Sequence, residues 1–256
     1  MKLRIMAYIL IIFSLLISSC QKNEETQKTN ETNGPDETTQ TDETNQTNEP
    51  EGDSSMTKLL YQGHGSFRLT SKDGTVIYVD PYAGEGYDLP ADMILVTHQH
   101  NDHNQVKLVT QKKDCALITN ADALDGGKYN TFSKNGMEIE AVEAGNKNHN
   151  PKECVGYIIT IDGIKVYAAG DTSKTDQMDT FDKKSIDYAL LPCDGVYNMD
   201  LKEAAECAEI IGAAHNIPIH MKPGEWFDQD MAGKFDAPNK LVVKAGEEIT
   251  LKKKQQ

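Results

Sequence analysis

Residues 93–104 read Met-Ile-Leu-Val-Thr-His-Gln-His-Asn-Asp-His-Asn. Three of the chain's seven histidines, His98, His100 and His103, therefore fall within six positions, beside Asp102. The apolar run reads as a buried strand, and the polar residues begin where it stops. A strand end opening into a loop is where α/β proteins place their chemistry. Neutral imidazoles and a carboxylate at this spacing suit a borderline divalent cation, zinc above all. In an extended segment residues i and i+2 project to one side, so His98 and His100 can grip one ion together. Asp102 and His103 follow where the backbone turns and would face a second ion. Two such ions can hold a bridging hydroxide and clamp a substrate oxygen. The plain alternative is a polar loop of solvated histidines, and the preceding strand argues against it.

Other strand ends carry similar residues. Asp171 follows Ile164-Lys165-Val166-Tyr167-Ala168-Ala169-Gly170. Its two oxygens could bridge two cations, and Gly170 would let the backbone approach closely; a helix cap ahead of Thr172-Ser173 is the simpler reading. His64 follows Leu59-Leu60-Tyr61, where it could touch substrate or an activated water. Asp80 ends Thr75–Val79, where a carboxylate could orient a ligating imidazole through its other nitrogen. No Gly-x-Ser-x-Gly elbow or phosphate-cradling Gly-x-x-x-x-Gly-Lys loop is present.

His-x-His-x-Asp-His after a hydrophobic strand resembles the signature of the metallo-β-lactamase-fold hydrolases. Gly63-His64-Gly65-Ser66-Phe67, Val79-Asp80-Pro81-Tyr82, Ala169-Gly170-Asp171-Thr172 and Pro218-Ile219-His220-Met221 follow in the order of its L-ascorbate-6-phosphate lactonase-like branch. The resemblance covers roughly residues 57–252. It implies an α/β fold, a four-layer αββα sandwich. It also implies a first metal on His98, His100 and His149, the only histidine of the later loop, and a second on Asp102, His103 and His220, with Asp171 between them. His215 is read as structural or solvated.

The expected activity is metal-dependent hydrolysis of a small lactone, ester or phosphate-containing substrate by a metal-bound hydroxide, with Asp102 and His64 as the catalytic residues. Two divalent ions are the expected cofactors, zinc by default and manganese as the rival. The alternative class is an extracytoplasmic metal- or ligand-binding lipoprotein without turnover. A di-iron redox protein ranks last, because no flavin-binding domain is attached.

The chain begins with an address. Lys2 and Arg4 precede an apolar stretch from Ile5 to Ile17, too short to span a membrane as a mature helix. Ile17-Ser18-Ser19-Cys20 then resembles a bacterial lipobox, followed by Gln21. Residues 1–20 are therefore expected to be a lipoprotein signal peptide and Cys20 the membrane anchor of an extracytoplasmic protein. Residues 21–55 hold ten acids against two lysines and nothing large enough to seed a core, so a disordered acidic tether is expected. Residues 56–256 form the hydrolase domain, long enough for a real core. The formal net charge of −14 argues against nucleic acid as a partner, but metal ions would still admit an anionic small-molecule substrate.

The elements that must position these residues read as strands at 58–62, 66–70, 75–79 and 93–97, the last followed by a helix. Further strands are expected at 115–119, 137–142, 156–161, 164–168, 187–191 and 217–219. A helix is expected over 201–213, with Ala204, Ala205, Ala208, Ile210 and Ile211 on one face. Edge strands are expected at 240–243 and 248–251. Cys115 and Cys207 read as core residues and Cys193 as lying near the pocket; no disulfide pair is assigned.

Overall fold

The computed structural model describes residues 56–254. The leader, Cys20 and the acidic tether lie outside the described residues. Two six-stranded mixed sheets pack face to face. The first contains β1 (Lys58–Gly63), β2 (Ser66–Thr70), β3 (Val76–Val79), β4 (Ala91–Leu95), β5 (Gln111–Ile118) and a late strand, Glu247–Thr250. A short helix α1 (Asn120–Ala123) and the hairpin β6 (Leu124–Asp125) and β7 (Lys128–Tyr129) lead to the second sheet. That sheet contains β8 (Thr131–Lys134), β9 (Met137–Glu143), β10 (Val155–Ile161), β11 (Ile164–Ala168), β12 (Tyr188–Pro192) and β13 (His215–Ile219). Helix α2 (Leu201–Ile211) lies between β12 and β13 in sequence; α3 (Gln229–Lys234) follows β13, and the late strand is β14.

Period-two alternation explains how each sheet serves two environments. Leu59, Tyr61, Phe67, Leu69, Ile77, Val79, Met93 and Leu95 project into the space between the sheets. Val155, Tyr157, Ile159, Ile161, Val166 and Ala168 meet them from the other side. The intervening residues of the second sheet, Ile158, Tyr167, Ala189 and Leu191, face outward onto α2 and the 3-10 segment Asp176–Lys184. Asp200 caps α2 by accepting the Glu203 N–H at 2.8 Å, and Gly212 ends the helix in the left-handed region at φ +66°. Ala204, Cys207, Ala208 and Ile211 form its buried face, with Ala205 and Ile210 half-buried.

Several elements depart from the sequence-based expectation. The strand expected at 93–97 runs from Ala91 to Leu95. It stops early because the Asp80 carboxylate takes the Thr97 N–H at 2.7 Å, removing that donor from the ladder. The helix expected after it is a single 3-10 turn, Val106–Leu108. That turn, with Tyr87, Leu89 and Val109, covers Val76, Tyr78 and Ile94 on the outer face of the first sheet, so this outer layer is thin. Residues 240–243 make one bridge, Lys240 to Asn216, and no strand. Leu241 and Val243 instead enter the inter-sheet core while Val242 packs into the helix layer, so the segment plugs the end of the sandwich. Among the described residues, Cys115, Cys154, Cys193 and Cys207 are all free. His215 opens β13 and stacks on Tyr188, with ring centroids 4.8 Å apart.

Ile159 is fully buried in the middle of β10. Replacing Ile159 with Ala should cost about 3 kcal/mol of stability, read as a lower denaturation midpoint with unchanged metal content.

Candidate metal centre

The chain reverses between antiparallel and parallel pairing once in each sheet, and the chemistry collects at the parallel ends. β3 runs parallel to β4, and β11, β12 and β13 run parallel to one another. Just past the C-terminal ends of these five strands stand Asp80, His98, Asp171, Asp194 and His220 in turn. His64 joins them from the end of β1. His100, Asp102 and His103 come from the loop after β4, and His149 from the loop between β9 and β10. Every expected ligand is therefore brought to one place, including His149.

Three donor groups result. His98, His100 and His149 form one; His64, Asp102, His103 and His220 form a second; His98, His103 and Asp171 form a third, with ligand atoms in each group within 4.8 Å of one another. Asp171 sits where the groups meet. Its Oδ2 lies 3.1 Å from His149 Nε2 and 3.5 Å from His220 Nε2, and its Oδ1 lies 3.3 Å from His103 Nε2. His100 is exposed, Asp102 half-buried, and the other histidines of the centre are buried.

The fit to a metal follows from which ring nitrogens are already engaged. Thr97 Oγ1 gives its proton to Asp80 at 2.6 Å, so it accepts from His98 Nδ1 at 3.0 Å. His103 Nδ1 donates to Asp80 Oδ2 at 2.8 Å and His149 Nδ1 to Asn146 Oδ1 at 3.1 Å. His64 Nδ1 donates to the Glu225 carbonyl at 3.3 Å. His220 Nδ1 lies 2.9 Å from Asp194 Oδ2, a close contact that is not aligned as a hydrogen bond. A neutral imidazole with its proton on Nδ1 presents a lone pair at Nε2. In their neutral forms the Nε2 atoms of His64, His103 and His149 thus aim lone pairs at the carboxylates of Asp102 and Asp171, and His220 Nε2 lies 3.5 Å from Asp171 Oδ2. Acceptors facing acceptors need a proton or a metal cation between them, and the buried Nε2 atoms of His103 and His220 have no hydrogen-bond partner. The residues fit divalent metal ions by this test.

Glycines and a strained backbone hold the geometry. A Cβ on Gly65 would meet His103 Cε1 at 2.8 Å, and one on Gly170, at φ +64°, would meet the Val155 carbonyl oxygen at 2.9 Å. His64, Asp80 and His220 all adopt positive φ, at 53°, 45° and 42°, a conformation that surrounding bonds must enforce. The His64 carbonyl accepts from His220 N and from Tyr61 Oη, both at 2.9 Å, while His64 N–H donates to the Trp226 carbonyl at 2.7 Å.

In the absence of a metal, a proton on His103 supplies part of the positive charge that these carboxylates call for. Burial, with His103 nearby, holds the His98 imidazole neutral by lowering its pKa to about 2. Burial also works against a charged His103, but the Asp171 and Asp80 carboxylates outweigh it and raise that ring to about 9. Asp171 and Asp102 are held well below the usual carboxylate range: burial opposes the shift, and neighbouring imidazoles overcome it. Asp194 is lowered to about 2 against the same opposition by His220 and by backbone N–H donors.

Asp194 and Asn146 were not singled out by sequence. Asp194 carries the same signal as Asp80 and Asp171, a carboxylate just past a hydrophobic strand. Asn146 carries none, since only the folded loop brings it under His149. Cys193 is fully buried beside Asp194, and burial pushes its thiol up to about 12.

In metal-free protein, His103 rises from its ordinary 6.5 to about 9. Its protonated form therefore stabilises the fold fully below pH 6.5, and that contribution is lost as pH rises through 9. The stability of metal-stripped protein should fall by about 3 kcal/mol over this interval, with a flatter profile in His103→Asn. Equal slopes in the two proteins would contradict the assignment.

Comparison with known proteins agrees with the site. Residues 58–220 match the family described as the beta-lactamase superfamily domain. A UPF0173 metal-dependent hydrolase of Thermococcus onnurineus is 30% identical over 226 residues, covering 77% of this chain and 100% of that protein. The structure of Igni18, a metallo hydrolase from the archaeon Ignicoccus hospitalis, shares the fold with a TM-score of 0.62 at 23% identity, covering 78% of this chain and 100% of that one. A Thermotoga maritima structure, described as a zinc-dependent hydrolase of the metallo-β-lactamase superfamily, is 27% identical with a TM-score of 0.50, covering 71% of this chain and 87% of that one. With strand-end histidines and aspartates gathered as above, the chain belongs to the metallo-β-lactamase superfamily and, within it, to the UPF0173 metal-dependent hydrolases.

Proposed function

We propose that this metal-dependent hydrolase uses two divalent ions to cleave a small lactone, ester or phosphate-containing substrate. The observation that carries this reading is Asp171, one carboxylate within 3.5 Å of imidazoles from both histidine clusters. The proposed ligands are His98, His100 and His149 on one side, Asp102, His103 and His220 on the other, and Asp171 between. Two cations held there would lower the pKa of a bound water and draw charge from the substrate oxygen. Zinc suits the imidazole-rich set best, and the zinc-dependent description of the Thermotoga maritima relative supports it; manganese is the rival. The order of sequence motifs, like that of the lactonase-like branch, supports a lactone.

The chain's own residues supply the rest. Asp102 is half-buried and borders a cavity of about 460 Å³ that also meets His100, Asn148, His149, Asp171, Tyr197 and His220. His64 Nε2 lies 3.2 Å from Asp102 Oδ2, beside the proposed catalytic carboxylate. In the proposed step, the water oxygen bonds to the carbonyl carbon as the carbon–oxygen bond to the leaving group breaks. Asp102 takes a proton from the water and delivers it to the leaving alkoxide, giving acid and alcohol. The lipobox reading supports an enzyme tethered at Cys20 on the outer side of a bacterial membrane.

His100 is exposed, so its removal tests the chemistry without disturbing the core. Replacing His100 with Ala should lower kcat/KM on dihydrocoumarin by at least about a thousand-fold, a loss of about 4 kcal/mol of transition-state stabilisation. The thermal midpoint of the metal-free protein should stay within a few degrees of wild type. A wild-type rate in this variant sinks the proposal.

A further inference from the structure

Among the described residues, six large hydrophobic side chains are exposed: Tyr82, Leu108, Leu117, Val196, Tyr197 and Trp226. Four of these belong to loops attached to the metal centre. Tyr82 sits edge-on to His64, with ring centroids 5.5 Å apart. Tyr197 lines the cavity together with His149 and His220. The carbonyl of Val196 accepts from Asn148, another lining residue, and that of Trp226 accepts the His64 N–H. An aromatic side chain left in water on the wall of such a cavity marks a binding surface.

Tyr197 is clamped with unusual care for an exposed residue. Its carbonyl accepts from Asn146 Nδ2 at 2.9 Å and Asn148 Nδ2 at 3.0 Å, while its N–H donates to Asp194 Oδ1 at 2.7 Å. Asp194 Oδ1 also takes the N–H groups of Val196 and Asn198. Asn146 and Asp194 are the same residues that face Nδ1 of His149 and His220. The backbone that carries the ring is therefore held at a fixed position relative to the hydrolytic centre. The cavity lining includes no lysine or arginine, and Lys222, on the loop carrying Trp226, lies 3.7 Å from both Glu225 and Asp228. A phosphate carried away from the scissile bond finds no countercharge in that lining.

We propose that Tyr197 forms a stacking platform that selects uncharged, ring-bearing lactones or esters over phosphorylated ones. This rests on the hydrolase reading above and narrows its substrate class. Ring faces pack offset or edge-to-face on such side chains and gain from the area they cover.

The test is equilibrium binding by calorimetry to the zinc-loaded full chain, which separates recognition from turnover. The probes are the lactam analogue of dihydrocoumarin and the same lactam bearing a ring phosphate. The uncharged lactam should bind at least about ten-fold more tightly than its phosphorylated form. Tyr197→Ala should weaken it about ten-fold and Tyr197→Phe should restore it, with zinc content equal in all three proteins. No lactam binding, equal or tighter binding of the phosphorylated form, unchanged affinity in Tyr197→Ala, or failure of Tyr197→Phe to restore it would each overturn the proposal. Lactam binding without hydrolysis of dihydrocoumarin would instead overturn the hydrolytic reading and leave the platform standing.

Discussion

The structure depends on one arrangement: imidazoles whose outer nitrogens are occupied, so that the inner ones confront carboxylates or, for His98, the ring of His100. Thr97, Asp80, Asn146 and the Glu225 carbonyl each bind an Nδ1 atom. Each fixes a tautomer and a ring direction at once. Asp80 does this for His103 directly and for His98 through Thr97. The result is a buried set of lone pairs and carboxylates that calls for positive charge, which is the condition under which a cation becomes part of the fold.

The sandwich exists to hold that arrangement still. Parallel strands place their C-terminal ends side by side, so residues distant in sequence emerge within a few ångströms of one another. Left-handed backbone at His64, Asp80 and His220 turns those side chains inward, and the strain is borne by the packed sheets behind them. The His64 carbonyl, accepting from both Tyr61 and His220, ties the first loop of the domain to the last residue of the centre.

Much of this was legible in the chain. The histidine-rich run after an apolar strand announces a metal, because that combination is hard to explain as packing. β2 and β11 follow directly from their period-two patterns. What sequence obscures is where side chains replace backbone partners. The end of β4 is set by the Asp80 carboxylate, which no local propensity reveals, and 240–243 looks like a strand because its apolar residues serve two cores. His149 sits in a polar loop with no strand signal, and only Asn146 and the approach of Asp171 bring its ring into use. Asp194 hides because an aspartate ahead of a glycine reads as a turn.

The order in which the chain is made adds a consequence. Candidate ligands stretch from His98 to His220, and β14 must return to pair with β1 before the first sheet is closed. Such long-range pairing is slow to assemble. A nascent chain has no complete centre until almost the whole domain has left the ribosome, so a partly synthesised copy cannot trap ions in the cell's interior through this full ligand set.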